Sequence, residues 1–284
     1  MKKKQKMIKK RILKSSGNIE FFSRQKLHRS IQRTGLKPKY CREISETIAK
    51  KFEKEKPDHP TTKSIFKETI KLIKKQSTLA ATHYSLKKSL QDLGPSGYEF
   101  EAFVGKYFET LGFSISLDVT LRGKYVTHEV DVIAHNKNDG SLIFCECKFH
   151  NNAGVKNDIK IALYVKARWD DLKEGPDAKN LSQFFLVSNT AFTSDAIKYA
   201  NGVGLNLLGI NSPDESFIDK IKRYKIYPIT SLTKLKKNTI KQLLEKNILL
   251  CKELLNEELT LKSLGLTQNE IDDLFFDINK LIGE

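Results

Sequence analysis

Three side chains between residues 131 and 148 have the types and spacing for one kind of reaction. Asp131 lies in VDVIA, and Glu146 and Lys148 lie in FCECKF. Two apolar runs, 130–134 and 142–147, flank the segment NKNDG at 136–140. Asn, Asp and Gly accept the positive φ that tight turns need, so the segment is expected to be a β-hairpin. Side chains two apart on a strand share a face, which sets Glu146 beside Lys148 and leaves Asp131 on the partner strand. Two carboxylates hold a hard divalent cation through oxygen, and an ammonium group beside them orients water and offsets charge on a phosphate. That is the equipment of metal-assisted phosphodiester cleavage. The same residues also fit a cross-strand ion pair on an exposed face.

The elements around the hairpin must hold these groups in place. Upstream, GYEFEAFVGKYFETLGF puts Phe100, Phe103, Val104, Phe108 and Leu111 on one face of a helix. Glu101 falls in its first turn as a fourth acidic candidate, where a glutamate also suits the helix dipole. Residues 114–119 alternate as a strand. Downstream, 155–172 reads as a helix, 183–188 as an apolar strand, 193–201 as a helix ended by Gly202, 205–210 as a short strand and 213–224 as a helix. The order α-β-β-β-α-β, then α-β-α, gives a mixed sheet with helices on its faces. His128, Glu129 and His150 border the hairpin and could touch substrate. Lys160, Lys166 and Arg168 on the following helix could contact phosphates or form a solvated face.

The chain has 284 residues and a formal charge of +16, unevenly spread. Residues 1–14 carry net +8 and 15–92 net +10, whereas 93–228 and 229–284 each carry −1. A polyanion partner would therefore meet the N-terminal third, not the segment with the acidic residues. No run approaches the roughly 18 apolar residues of a membrane helix. The basic N-terminus lacks the apolar stretch of a signal peptide, which leads to a cytoplasmic expectation. Cys41, Cys145, Cys147 and Cys251 form no CxxC pair, so buried reduced thiols are expected in place of a zinc site.

Residues 1–10 read as a basic arm. Strands at 12–14 and 19–22 then flank a turn, and helices follow at 24–34 (capped by Ser23 and ended by Gly35), 39–54, 63–75 (capped by Thr61-Thr62) and 77–90, before Gly94-Pro95. Lys14 and Lys26, near the Gly17 turn, offer charge and free N–H groups to phosphates. Taken alone, the two also fit ordinary surface lysines. From Pro228 onward, Lys234, Lys236, Lys237 and Lys241 cluster around a helix, NILLCKELL reads as a second, and 264–267 opens a third.

Residues 11–94 resemble the ATP-cone domain, on Ile12, Lys14, Gly17, Phe22 and Lys26 and on Ala80-Ala81-Thr82-His83-Tyr84. Ser15 and Ser16 stand where that family usually has a basic and an acidic residue. The resemblance implies ATP or dATP held near Lys14, Gly17 and Lys26. No GxxxxGK[ST] motif is present, so the nucleotide would be an effector and not a fuel. Residues 96–210, within an expected domain of 96–227, resemble the PD-(D/E)xK nuclease superfamily, and within it the Mrr-like restriction endonucleases. Phe100-Glu101, Asp131-Val132-Ile133 and Glu146-Cys147-Lys148 carry the likeness, with Val130 in place of Pro and Glu146 where many members have Gln. That resemblance implies Mg²⁺, or Mn²⁺, on Asp131, Glu146 and the Cys147 carbonyl. Lys148 would orient the water, and Glu101 would be a further metal or water ligand. Residues 228–284 resemble a small bundle or helix-hairpin-helix-like unit, and a packing or dimerisation piece fits as well.

The expected fold is thus mixed α/β: a small α+β ATP-cone domain, a restriction-endonuclease-like αβββαβ core and a C-terminal helical segment. The expected activity is Mg²⁺-dependent cleavage of double-stranded DNA in a restriction or genome-defence setting, under control of bound nucleotide and without a membrane. A homodimer fits a double-strand cut. The alternatives are a repair or recombination nuclease of the same superfamily, and a non-catalytic ATP-sensing DNA-binding regulator.

Overall fold

Gly17, at φ +83°, closes the first turn of the chain, its N–H reaching the Lys14 carbonyl at 3.0 Å while Lys14 N–H reaches that of Asn18 at 2.8 Å. Positive φ is open to glycine at no steric cost, which is why the turn ends there. The computed structural model describes residues 10–14, 17–54 and 60–283. The basic arm up to residue 9 and the Ser15-Ser16 pair lie outside them. The chain divides into two units, Met1–Ser85 and Leu86–Glu284.

In the first unit β1 (Arg11–Leu13) pairs antiparallel with β2 (Ile19–Phe21), Ile12 opposite Glu20. Helices α1 (Arg24–Gln32), α2 (Pro38–Lys54) and α3 (Thr62–Gln76) follow, and α4 (Thr78–Gln91) runs through the boundary at Ser85. Ser23 caps α1 by accepting the Lys26 N–H at 3.2 Å, and Thr61 caps α3 by accepting that of Ser64 at 3.0 Å. Pro38 opens α2, where its missing N–H costs nothing. Ile12, Leu27, Ile31, Ile48 and Ile73 form the core.

Beyond α4 the second unit holds α5 (Tyr98–Thr110) and the long hairpin β3 (Ser114–Arg122) and β4 (Thr127–His135), to which β5 (Leu142–Lys148) adds antiparallel. After β6 (Lys156–Asn157) and α6 (Ile159–Lys173), β7 (Leu181–Ser188) pairs parallel with β5. Next come β8 (Ala191–Phe192), α7 (Ser194–Val203), β9 (Asn206–Leu208) and α8 (Phe217–Arg223). The mixed sheet runs β3-β4-β5-β7-β9, and β6 pairs with β8 beside it. Successive residues of β7 show how both faces are covered. Phe184 packs on Trp169 of α6 at 6.2 Å, and Phe185 packs on Phe108 of α5 at 5.6 Å, as strand alternation requires. The tail holds a 3₁₀ turn (Ile229–Ser231), α9 (Lys237–Glu245), a 3₁₀ helix (Cys251–Asn256), α10 (Glu258–Ser263) and α11 (Gln268–Ile282). The four cysteines are free and buried. Among the described residues no helix is long and apolar enough to cross a membrane.

Several boundaries differ from expectation. Helix α7 ends on Gly204, at φ +72°, and Gly202 lies inside it. Residues 155–158 are not helical: Lys156 and Asn157 pair with Ala191 and Phe192, and Asp158 caps α6 by accepting the Lys160 N–H. Ser216 caps α8, so the helix expected from 213 starts only at Phe217. NILLCKELL is not an α-helix. The Glu253 carboxylate takes the N–H groups of Leu249 and Leu250, both at 2.9 Å, and Leu250 bridges Pro228, which holds residues 248–250 extended before the 3₁₀ helix. Helix α10 was not anticipated.

Candidate active site

The β4–β5 ladder runs from His135↔Leu142 to Val132↔Cys145 and stops one step short of Asp131 and Glu146. There the Asp131 side chain takes over the role of a strand partner, its Oδ2 accepting the Cys147 N–H at 2.6 Å. Glu146 is 4% exposed. Its Oε1 accepts from Lys148 Nζ at 2.5 Å, and its Oε2 accepts from Arg168 Nη1. Arg168 Nη2 donates to the Glu129 carbonyl, and its guanidinium lies over the Tyr164 ring, 5.5 Å from the centroid. Glu101 stands in the first turn of α5. Its Oε1 and the Phe149 Cβ each lie 3.6 Å from where a Cβ on Gly97 would sit, so the start of α5 borders the end of β5.

The electrostatics follow from this crowding. Burial, then the charge of Glu146, pushes Asp131 up to about 6 against the pull of the Cys147 N–H and of Lys148 and Arg168. Burial, then Asp131, Asp118, Glu129 and Glu146, pushes Glu101 up to about 7. Burial alone would lower Lys148, but its hydrogen bond to Glu146 and the charges of Glu146 and Asp131 outweigh it, and the net direction is upward. Lys148 is therefore an ammonium group at neutral pH.

Asp131, Glu146 and the Cys147 carbonyl are hard oxygen donors, the kind Mg²⁺ and Mn²⁺ take. Burial raises Asp131 and Glu101 most, and the carboxylate repulsion that adds to it is what a bound cation would relieve. Glu146, however, presents both oxygens to cationic side chains. Among the described residues no three His, Cys, Asp or Glu side chains gather into a metal-holding group. The donors fit a divalent ion in kind, and an ion on Glu146 would compete with Arg168.

The other singled-out residues separate clearly. His128 is committed away from the carboxylates: its Nε2 lies 2.8 Å from Asp171 Oδ2, and Asp171 also accepts the N–H of Tyr125 at 2.9 Å, fastening the β3–β4 tip to the end of α6. Lys166 pairs with Asp170 at 2.5 Å, along the helix. Lys160 and Glu129 are exposed. Arg168, expected at most to touch phosphate, is buried on Glu146. Its place was readable in outline: it follows Ala162 and Val165 on the apolar face of α6, and an arginine there needs a buried acceptor. His150 belongs to a buried polar network at the ends of β5 and β7.

In the first unit Lys14 and Lys26 line an open cleft with Phe22, Ser30, Phe66 and Tyr84. Both lysines face one carboxylate: Glu20 Oε2 is 3.3 Å from Lys14 Nζ and 3.8 Å from Lys26 Nζ. Phe66 and Tyr84 stack at 5.3 Å.

Residues 10–92 match the family model of the ATP cone domain, 94–211 that of a restriction endonuclease, and 227–282 that described as AF1548-like, C-terminal. An uncharacterized protein of Archaeoglobus fulgidus is 30% identical over 182 residues, spanning 63% of this chain and 100% of its own length. The crystal structure of the protein of unknown function AF1548 is 30% identical and superposes with a TM-score of 0.52, covering 66% of this chain and 98% of that one.

Proposed function

The chain belongs to the AF1548-like family, with a restriction endonuclease domain behind an ATP cone domain, and from that premise we propose that it is a DNA endonuclease regulated by nucleotide. The observation that carries the reading is the Asp131–Glu146–Lys148 constellation, with Asp131 closing onto the Cys147 N–H and Lys148 held at 2.5 Å on Glu146. In this reading Asp131, Glu146 and the Cys147 carbonyl would hold Mg²⁺ or Mn²⁺, Arg168 would compete for Glu146, and Glu101 would be a further ligand to metal or water. The ion would supply Lewis acidity toward the phosphate and an acidified water. Lys148 would orient the attacking water and offset the charge that builds on the phosphate.

The substrate is double-stranded DNA in a restriction or genome-defence setting, and the place of action is the cytoplasm. The domains run 11–94, 96–227 and 228–284, behind a basic arm at 1–10. A homodimer supplies the second active site of a double-strand cut. ATP or dATP binds as an effector near Lys14, Gly17 and Lys26. Residues 15–92 carry net +10 while 93–228 carry −1, so nucleotide on the cone removes positive potential from the part of the chain best able to grip DNA. The test is cleavage of plasmid, methylated plasmid and junction DNA under Mg²⁺ and Mn²⁺, with ATP titrated. Preference for junctions would move the reading to a repair nuclease. DNA binding without any cleavage would select a non-catalytic regulator, a reading favoured by the Arg168 guanidinium seated on Glu146.

A further inference from the structure

Hydrolysis of a phosphodiester needs a group that takes a proton from the attacking water, and Lys148, an ammonium paired with Glu146, has no lone pair to offer. Two residues further on, His150 is held from three directions by buried side chains. Asn189 accepts the His150 N–H with Oδ1 and donates Nδ2 to its carbonyl, both at 2.9 Å. The ring Nε2 lies 2.9 Å from Asn157 Oδ1. Asn157 Nδ2 in turn donates to Ser188 Oγ at 2.8 Å and reaches Thr190 Oγ1 at 3.2 Å. Ser188 Oγ donates to the Lys148 carbonyl at 2.8 Å. Asn157, Ser188, Asn189 and Thr190 are all 0% exposed.

This network decides the tautomer of the imidazole. With its nitrogen committed to two hydroxyls, Asn157 can only accept from His150, so Nε2 carries a proton and the lone pair of the neutral ring lies on Nδ1. No described residue bonds to Nδ1, and the ring is half-buried. The site is the C-terminal end of the parallel strands β5 and β7, where open α/β sheets form their ligand crevices. A fully satisfied buried network of this kind fixes geometry more than it adds stability. It fixes the main chain behind Lys148 and the ring of His150 together.

We infer that His150 is the catalytic proton acceptor of the proposed hydrolysis, and that Asn157 is its positioning residue. The inference rests on that hydrolysis. As the water oxygen bonds to phosphorus, Nδ1 takes one of its protons. The bond from phosphorus to the leaving oxygen breaks with its electron pair on that oxygen, which takes a proton from solvent, and the imidazolium returns its proton to solvent. Nothing is oxidised or reduced.

The test uses the full chain. In ¹⁵N-histidine NMR, the signal absent from His150→Asn reports the Nε2–H tautomer in wild type. Asn157→Leu shifts it toward a tautomer mixture, and Asn157→Asp, which keeps the acceptor, does not. His150→Ala lowers kcat by about 10²–10⁴, the usual worth of a general base, with KM for DNA little changed, and added imidazole restores part of the rate. Asn157→Leu lowers kcat less, in step with its tautomer shift. A wild-type Nδ1–H tautomer, or a His150→Ala variant that cuts at the wild-type rate, overturns the assignment. A wild-type chain that cuts no DNA removes the hydrolase reading itself, and the role of His150 with it.

Discussion

Arg168 reaches from α6 to Glu146 on β5 and, with Lys148, occupies both oxygens of a carboxylate that is 4% exposed. A buried carboxylate paired in this way is costly to orphan. Arg168→Met leaves Glu146 with one partner and is expected to cost about 3–5 kcal/mol of stability in urea unfolding, with Glu146→Gln in the same chain recovering part of it. The same variant frees Glu146 for metal. Mn²⁺ binding by calorimetry is expected to tighten on Arg168→Met by about tenfold, or 1.4 kcal/mol; unchanged affinity would mean that the ion does not use Glu146.

Asp131 and Glu101 set the pH response. Both are raised in the folded chain, to about 6 and about 7, so the folded state binds their protons more tightly than the unfolded state does. Their contribution to stability is present below the unfolded carboxylate range near pH 4 and is lost as pH rises through 6 to 7. Melting of the metal-free chain between pH 5 and pH 8 should therefore show falling stability, and Glu101→Gln should flatten that slope. Metal affinity runs the other way and rises over the same window, because the ion binds the deprotonated carboxylates. A melting temperature that rises steadily from pH 5 to pH 8 in EDTA contradicts this.

Much of the site was legible because its signals are local. NKNDG between two apolar runs fixes a hairpin, and strand alternation then puts Cys145 and Cys147 into the core and Glu146 and Lys148 together. Helix α5 was readable from the spacing of its phenylalanines. What escaped is non-local or turns on one backbone dihedral. Arg168 meets Glu146 across 22 positions, and Asp171 meets His128 across 43, with nothing in either neighbourhood to announce the partner. The end of α7 depended on which of two glycines adopts positive φ, and the run 248–250 stays extended because Glu253 takes two of its N–H groups and Leu250 bridges distant Pro228.

The cone makes its own prediction. Glu20 neutralises Lys14 and Lys26 in the cleft, so an incoming triphosphate must displace it. Lys14→Ala and Lys26→Ala should each weaken ATP binding by about tenfold, the worth of one charge-assisted contact, and Glu20→Gln should tighten it. Calorimetry on the full chain measures all three. Equal affinity in the wild type and both lysine variants would place the nucleotide elsewhere.

Asp171 is expected to matter for the hairpin tip and not for chemistry. Asp171→Asn removes the charged partner of His128 and weakens the hold on the Tyr125 and Val126 amides. Hydrogen exchange at those two amides should quicken by about an order of magnitude, as expected for a locally loosened segment. DNA cleavage should stay near wild type. Loss of cleavage with unchanged exchange would instead put His128 among the substrate contacts.

The most direct test of the central claim is Mg²⁺-dependent nicking of supercoiled plasmid by the wild type, Asp131→Ala and Lys148→Ala. The account expects cleavage by the wild type that disappears in EDTA, and rates lower by about 10²–10³ in each variant. Cleavage that persists in both variants, or a wild type that binds DNA yet never cuts with Mg²⁺ or Mn²⁺, would contradict it.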